Sequence, residues 1–148
     1  GILPVVGDDS GLATVLGHEV GHVLANHAAE RISRSQLIEA GTGVAAAVLG
    51  GSDPATQQSI AALLGAGASV GLELPFSRSQ ELEADRIGLS LMAKAGYDPH
   101  AAIPFWQRMQ AASKGGPPQF LSTHPAEENR IARIRELLPE AMASYRPR

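Results

Sequence analysis

With 148 residues, 44% of them hydrophobic and 18% charged, the chain has the length of one domain, and about two-thirds of its unfolded surface is lost on folding. Its net charge of −3 and the lack of a basic stripe interleaved with aromatics exclude the electrostatic footprint of a nucleic-acid partner. The absence of cysteine excludes disulfides and thiolate metal sites, leaving histidine and carboxylate as the strong ligands.

Gly1 to Gly7 reads as the end of a strand or loop already in progress. A first residue other than methionine reads as a fragment, with any targeting or anchoring segment upstream of Gly1. Asp8, Asp9 and Ser10 are good helix caps, and the first helix is expected from Ser10 to about Ile32. Leu12, Leu16, Val20, Val23 and Leu24 form an apolar stripe at helical spacing, which predicts a largely buried helix. That helix carries His18-Glu19-Val20-Gly21-His22. Two histidines four apart lie about 40° from each other, one turn up, so both imidazoles can reach one ion, a zinc-ligand spacing. Glu19 is too near to be an easy third ligand but close enough to take a proton from a water held by that ion, so it reads as a general base. The bland alternative is two surface histidines and a solvated glutamate. Thr14, Ala25 and Ala29 share the histidine face and Gly21 adjoins it, so a second helix could approach closely there. His27 lies about 140° around from His22 and is expected to be structural. Ala25 and Ala28 stand where a longer zinc motif would continue, so a third ligand must come from elsewhere.

An alanine-rich helix follows from Ser35 to Leu49, ending at Gly50-Gly51. Asp53-Pro54 then opens a helix to about Val70. Ala40 to Ser52 and Ile60 to Leu72 are free of charge but shorter than the roughly 18 residues of a spanning helix, so buried or interfacial helices are expected. Gly65, Gly67 and Gly71 predict either tight helix packing or a mobile hairpin covering the site. Pro75 breaks the chain, and Ser77-Arg78-Ser79-Gln80 has capping-box spacing for a helix from Arg78 to Ala95 that stops at Gly96. On it Glu81 and Asp85 share a face, while Leu82, Ile87, Leu89, Leu91 and Met92 pack. Such carboxylate pairs are usually solvated; beside a His-Glu-x-x-His helix the functional reading is favoured. Asp98-Pro99 opens a helix to about Ser113 with Ile103, Trp106 and Met109 inward, His100 exposed, and Gly115-Gly116-Pro117-Pro118 ending it. The last helix has Pro125 at its first position and Ile131, Ile134, Leu137 and Leu138 as its stripe, leaving His124 at a loop-to-helix joint.

Three blocks in this order resemble the HtpX-like and CAAX prenyl protease family of zinc metallopeptidases. They are His18-Glu19-Val20-Gly21-His22 with Asn26-His27; Ser77-Arg78 with Glu81-Leu82-Glu83-Ala84-Asp85-Arg86-Ile87-Gly88; and Ser122-Thr123-His124-Pro125 with Arg130-Ile131. The third is most similar to the soluble, BepA-like bacterial members. The resemblance implies a mainly α, zincin-like helical metallopeptidase domain over residues 1–148, lacking most of its upstream strands. It implies one zinc ion held by His18, His22 and Glu81, a gluzincin arrangement whose open fourth position takes a water acidified to a pKa of about 7. Glu19 would accept that water's proton, Asp85 would accept a hydrogen bond from a ligand histidine, and Glu83 would face away. His124 would lie over the metal, where it could donate to an oxyanion, occupy the fourth position and make the enzyme latent, or merely cap the helix. The implied function is an endopeptidase cutting unfolded or misassembled polypeptides in bacterial envelope quality control, in the periplasm or associated with the membrane or envelope proteins. The rival is a noncatalytic, zinc-stabilised partner-binding or chaperone-like module. Oligomeric state stays open.

Overall fold

The computed structural model describes residues 2–113, 120, 124 and 129–147, and no strand occurs among them, in keeping with the mainly α expectation. The expected helix end at Gly115 to Pro118 and helix start at Pro125 lie outside the described residues. The chain divides into two compact units, Gly1–Ala25 with Glu81–Arg148, and Asn26–Gln80.

The first unit opens on a short helix α1 (Leu3–Val6), where the sequence suggested a strand or loop. Proline in its first turn suits helical φ, and Arg108 donates to the Val5 and Val6 carbonyls at 2.9 and 2.7 Å, meeting acceptors the helix end leaves open. Helix α2 (Asp9–Leu24) starts at Asp8, whose carboxylate accepts from the Gly11 amide at 2.7 Å. Helix α5 (Leu74–Lys94) ends as expected at Gly96, which takes φ +81°. There the Tyr97 and Gly96 amides return to Met92 and Ala93 carbonyls at 2.9 and 3.1 Å. A turn of 3₁₀ helix (Pro99–Ala101) leads into α6 (Ala102–Ser113), and α7 (Arg130–Met142) closes the described chain. The core draws Val6 from α1, Val15 from α2, Leu89 and Met92 from α5, Phe105, Trp106 and Met109 from α6, and Ile134 and Leu138 from α7.

Helix α2 is oriented opposite to the sequence expectation. Its apolar stripe of Leu12, Leu16, Val20, Val23 and Leu24 is exposed, whereas Gly11, Thr14, Val15, Gly17, His18 and Gly21 are buried. Backbone approach outweighs side-chain hydrophobicity here. A Cβ on Gly17 would stand 2.9 Å from the Gly88 carbonyl oxygen, one on Gly88 would stand 2.8 Å from the His18 nitrogen, and one on Gly21 would stand 2.7 Å from the Ala84 carbonyl oxygen. Helices α2 and α5 therefore meet backbone to backbone along the histidine face, a contact that the bulkier leucine face could not make.

The second unit begins at Asn26, a non-glycine residue at φ 59°, which breaks the expected single helix to Ile32. Helix α3 (His27–Gly50) then runs unbroken through residues 33 and 34, and α4 (Pro54–Ala68) returns from an Asp53 cap. A π turn (Ser69–Glu73) carries the helix past position 75 instead of letting the proline end it. Proline offers no N–H, and a local change of hydrogen-bond register accommodates that gap. The capping box at Ser77 to Gln80 consequently starts no helix; Gln80 accepts from Arg31 Nε at 2.9 Å and donates to Glu30 at 3.1 Å. The charge-free segments bury little within the protein: Ala46 is buried in the first, and α4 has no buried residue. The run from Pro54 becomes one helix long and apolar enough, by length and composition, to cross a membrane. Tight packing is not what places Gly65, Gly67 and Gly71, since a Cβ on any of them meets nothing within 4 Å.

Substituting Gly17→Ala or Gly88→Ala should destabilise the protein by about 1–3 kcal/mol, because backbone must move to admit the methyl group. Gly41→Ala, in a helix interior with open space around it, should stabilise by about 0.5–1 kcal/mol. Chemical denaturation of the three variants measures both signs.

Candidate metal centre

Backbone contact between α2 and α5 sets the site. His18 and His22 project from the glycine-bearing face of α2 toward Glu81 and Asp85, one turn apart on α5. The two histidine Nε2 atoms lie 3.1 Å apart. Glu81 presents Oε2 at 3.2 Å from His18 Nε2 and Oε1 at 3.2 Å from His22 Nε2. His124 completes the cluster with Nδ1 at 3.2 Å from His18 Nε2 and 3.0 Å from Glu81 Oε1. These four residues are the group able to hold a metal, each offering one ligand atom within 4.8 Å of the others.

The donor set fits a metal ion. Three imidazole nitrogens and a carboxylate converge on one point, where too few protons are available to make every contact a hydrogen bond. Tetrahedral ligands at a zinc–nitrogen distance of about 2.0–2.1 Å stand about 3.3 Å apart, close to the spacing observed. The electrostatics are consistent with this. Burial lowers the His22 pKa, helped by the charges of His18 and His124 and against Glu81, keeping its ring in the neutral form that ligates. Burial works against ionised Glu81, yet hydrogen bonds from His124, His18 and His22 and the Arg130 charge outweigh it and hold the carboxyl far below the usual range. His18 is also buried, but Asp85 and Glu81 raise its pKa overall.

Asp85 places Oδ1 2.9 Å from His18 Nδ1, a distance at which a carboxylate can accept a proton from the ring. Glu19 is about half-exposed, 3.3 Å from His124 Nε2. Glu83 is exposed, as expected. His27 is buried in the second unit and belongs to no metal-competent group among the described residues; His100 is exposed and bonded to Asp98. Ser122, Thr123 and Pro125 of the third block lie outside the described residues.

Arg130 is the residue that sequence reasoning left without a role. Its Nε and Nη2 donate to Asp85 Oδ2 and Oδ1 at 2.9 and 2.7 Å, its Nη1 donates to Glu81 Oε2 at 3.0 Å, and its guanidinium sits 3.6 Å over the Trp106 ring. One fork thus orients both carboxylates. The available signal was phase: Arg130 stands four and eight residues before Ile134 and Leu138, in line with the buried stripe. Phe120 stacks on the His124 ring at 4.6 Å and 23°.

Fold and donor set together define a helical metallopeptidase-type centre. The model of peptidase family M48 matches residues 1–138. Mitochondrial metalloendopeptidase OMA1 of Schizosaccharomyces pombe is 46% identical over 143 residues, 95% of this chain and 40% of the relative. Human mitochondrial metalloendopeptidase OMA1 is 36% identical over 96% of this chain and 28% of its own length. The β-barrel assembly-enhancing protease of Escherichia coli K12 is 36% identical over 86% of this chain and 27% of its own. No solved structure matches. The chain belongs to peptidase family M48, and it spans about 40% or less of these relatives.

Burial opposes ionised Asp85, but the Arg130 charge and the His18 hydrogen bond hold its pKa below the ordinary value of 3.8. The unfolded chain therefore binds the proton more readily, so the contribution is complete above that value and fades as pH falls through the lower folded one. The metal-free protein should lose stability below about pH 4. Asp85→Asn should flatten that acid dependence while costing on the order of 3 kcal/mol at pH 7, because it strips a buried arginine of a partner. Urea titrations across pH measure both effects.

Proposed function

We propose that the 148 residues act as the single catalytic domain of a longer zinc-dependent endopeptidase that cuts unfolded or misassembled polypeptides in the bacterial envelope, in the periplasm or at its membrane. One observation carries the chemistry: His18, His22 and Glu81 converge to ligand spacing with the Glu19 carboxylate nearby. Likeness to β-barrel assembly-enhancing proteases supports the envelope setting, and the mitochondrial metalloendopeptidases among the relatives support the endopeptidase activity.

Zinc held by His18, His22 and Glu81 would polarise the scissile carbonyl and acidify the attacking water. Glu19 takes the water's proton and passes it to the leaving amine. Asp85 accepts the His18 Nδ1 proton, keeping Nε2 as the ligating atom, and Arg130 holds Asp85 ionised and in place. His124 would take the fourth ligand position, which would leave the resting enzyme latent. Its Nδ1 shares the cluster while its Nε2 engages Glu19, so one ring would cover both the open position and the base.

Glu81→Ala should lower zinc content sharply by elemental analysis. Glu19→Gln should keep zinc and fold while abolishing casein cleavage. Zinc binding with no cleavage by the parent chain under any condition would instead favour a noncatalytic partner-binding module.

His124→Ala should raise basal proteolysis without loss of zinc, since water regains the open position. A fall of about 10²-fold would instead make His124 an oxyanion donor, and an unchanged rate would leave it a capping residue. Rate and metal content measured together distinguish the three.

A further inference from the structure

Residues 40–72 contain a single charged side chain, Asp53, yet they form the most exposed apolar surface of the second unit. Leu37, Val44, Val48 and Leu49 on α3, and Leu63, Val70 and Leu72 on the returning leg, are each more than half exposed. A surface meant for water carries charge at roughly a quarter to a third of its positions. Here the charges stop abruptly at the ends. Glu30, Arg31, Arg34 and Glu39 precede the segment, and Glu73 and Arg78 follow it. The hairpin is paired along its length: Ser35 faces Glu73 at 3.5 Å at the base, and Gly50 meets the Gln57 backbone near the tip.

Five polar side chains of this hairpin, Thr42, Asp53, Thr56, Gln57 and Ser59, are turned onto the hairpin itself. Thr42 donates to the Glu39 carbonyl at 3.0 Å, Ser59 to the Ala55 carbonyl at 2.9 Å, and Gln57 to the Gly51 carbonyl. Asp53 accepts from the Ala55 and Thr56 amides at 3.3 and 3.1 Å and from the Thr56 hydroxyl. Internal satisfaction of polar groups is a requirement imposed by hydrocarbon and not by water. A protein partner would cover one face, but both legs are bare. The charge-free helix from Pro54 to Leu72 is about 28 Å long at 1.5 Å per residue, against a hydrocarbon layer of about 30 Å.

We propose that the α3–α4 hairpin inserts tip first into the hydrocarbon of a lipid bilayer, with Glu39 and Glu73 marking where water begins. The apolar zone, Ala40 to Leu49 against Ile60 to Leu72, is about 15 to 20 Å deep. That is at least the depth of one leaflet of about 15 Å, so the polar tip is carried to the midplane. None of the metal-centre residues belongs to this hairpin, so the inference stands or falls apart from the peptidase reading.

The test is flotation of the 148-residue chain with phosphatidylcholine–phosphatidylglycerol vesicles, beside a Val44→Asp/Leu63→Asp variant. Both positions are exposed, so helix content by circular dichroism and zinc binding should be unchanged, while partitioning should fall about 10²-fold or more. Because the chain has no cysteine, Val48→Cys carrying an environment-sensitive fluorophore gives a second reading, an emission blue-shift on adding vesicles. Failure of the parent chain to float, or flotation unaffected by the two aspartates, would overturn the proposal. So would a dimer by light scattering whose Val48 label is already shielded without lipid, which would give the hairpin to a second copy of the chain.

Discussion

Everything in the metal centre depends on how closely α2 and α5 approach. Gly17 against Gly88, and Gly21 against Ala84, let two backbones touch where side chains would hold them several ångströms apart. That contact brings His18 and His22 within ligand distance of Glu81. The usual hydrophobic preference is given up in return, since the leucine and valine stripe of α2 is left facing outward. A helix normally buries its most apolar face; here close approach decides the orientation, and α2 gives the apolar core only Val15, most of it coming from α6, α7 and the far end of α5.

The second constraint is charge. Glu81 and Asp85 are buried carboxylates on one helix face, an arrangement that is unstable without compensation. Arg130 supplies it through three hydrogen bonds and a stack on Trp106. This ties the floor of the site to the core cluster, because the same indole packs among Phe105, Met109 and Ile134. The site's rigidity and the core's packing are thus one property.

The second unit follows different rules. Its helices have almost no buried residues, and Gly41, Gly43, Gly65 and Gly67 face open space. Local helix signals such as the Asp53-Pro54 start are fully expressed there, while packing within the protein contributes little. A π turn, and not a break, leads the chain past position 75 toward Glu81.

Much of the site was legible in the sequence because it rests on helix periodicity. The four-residue spacing of His18 and His22, the place of Glu19 beside them, and the shared face of Glu81 and Asp85 follow from 3.6 residues per turn, while the Asp53 and Asp98 starts and the Gly96 stop follow from cap chemistry. What periodicity does not contain is which face of a helix meets which partner. The sequence reading buried the leucine stripe of α2, whereas backbone approach through glycine chose the histidine face. It ended a helix at Pro75, whereas a register change kept the helix going. It left Arg130 without a role because a long side chain's target lies across space, 45 residues from Asp85 in sequence. Local chemistry determined the elements and the metal-ligating residue types; only the tertiary structure decided the faces, because close packing depends on the missing Cβ atoms of two helices at once.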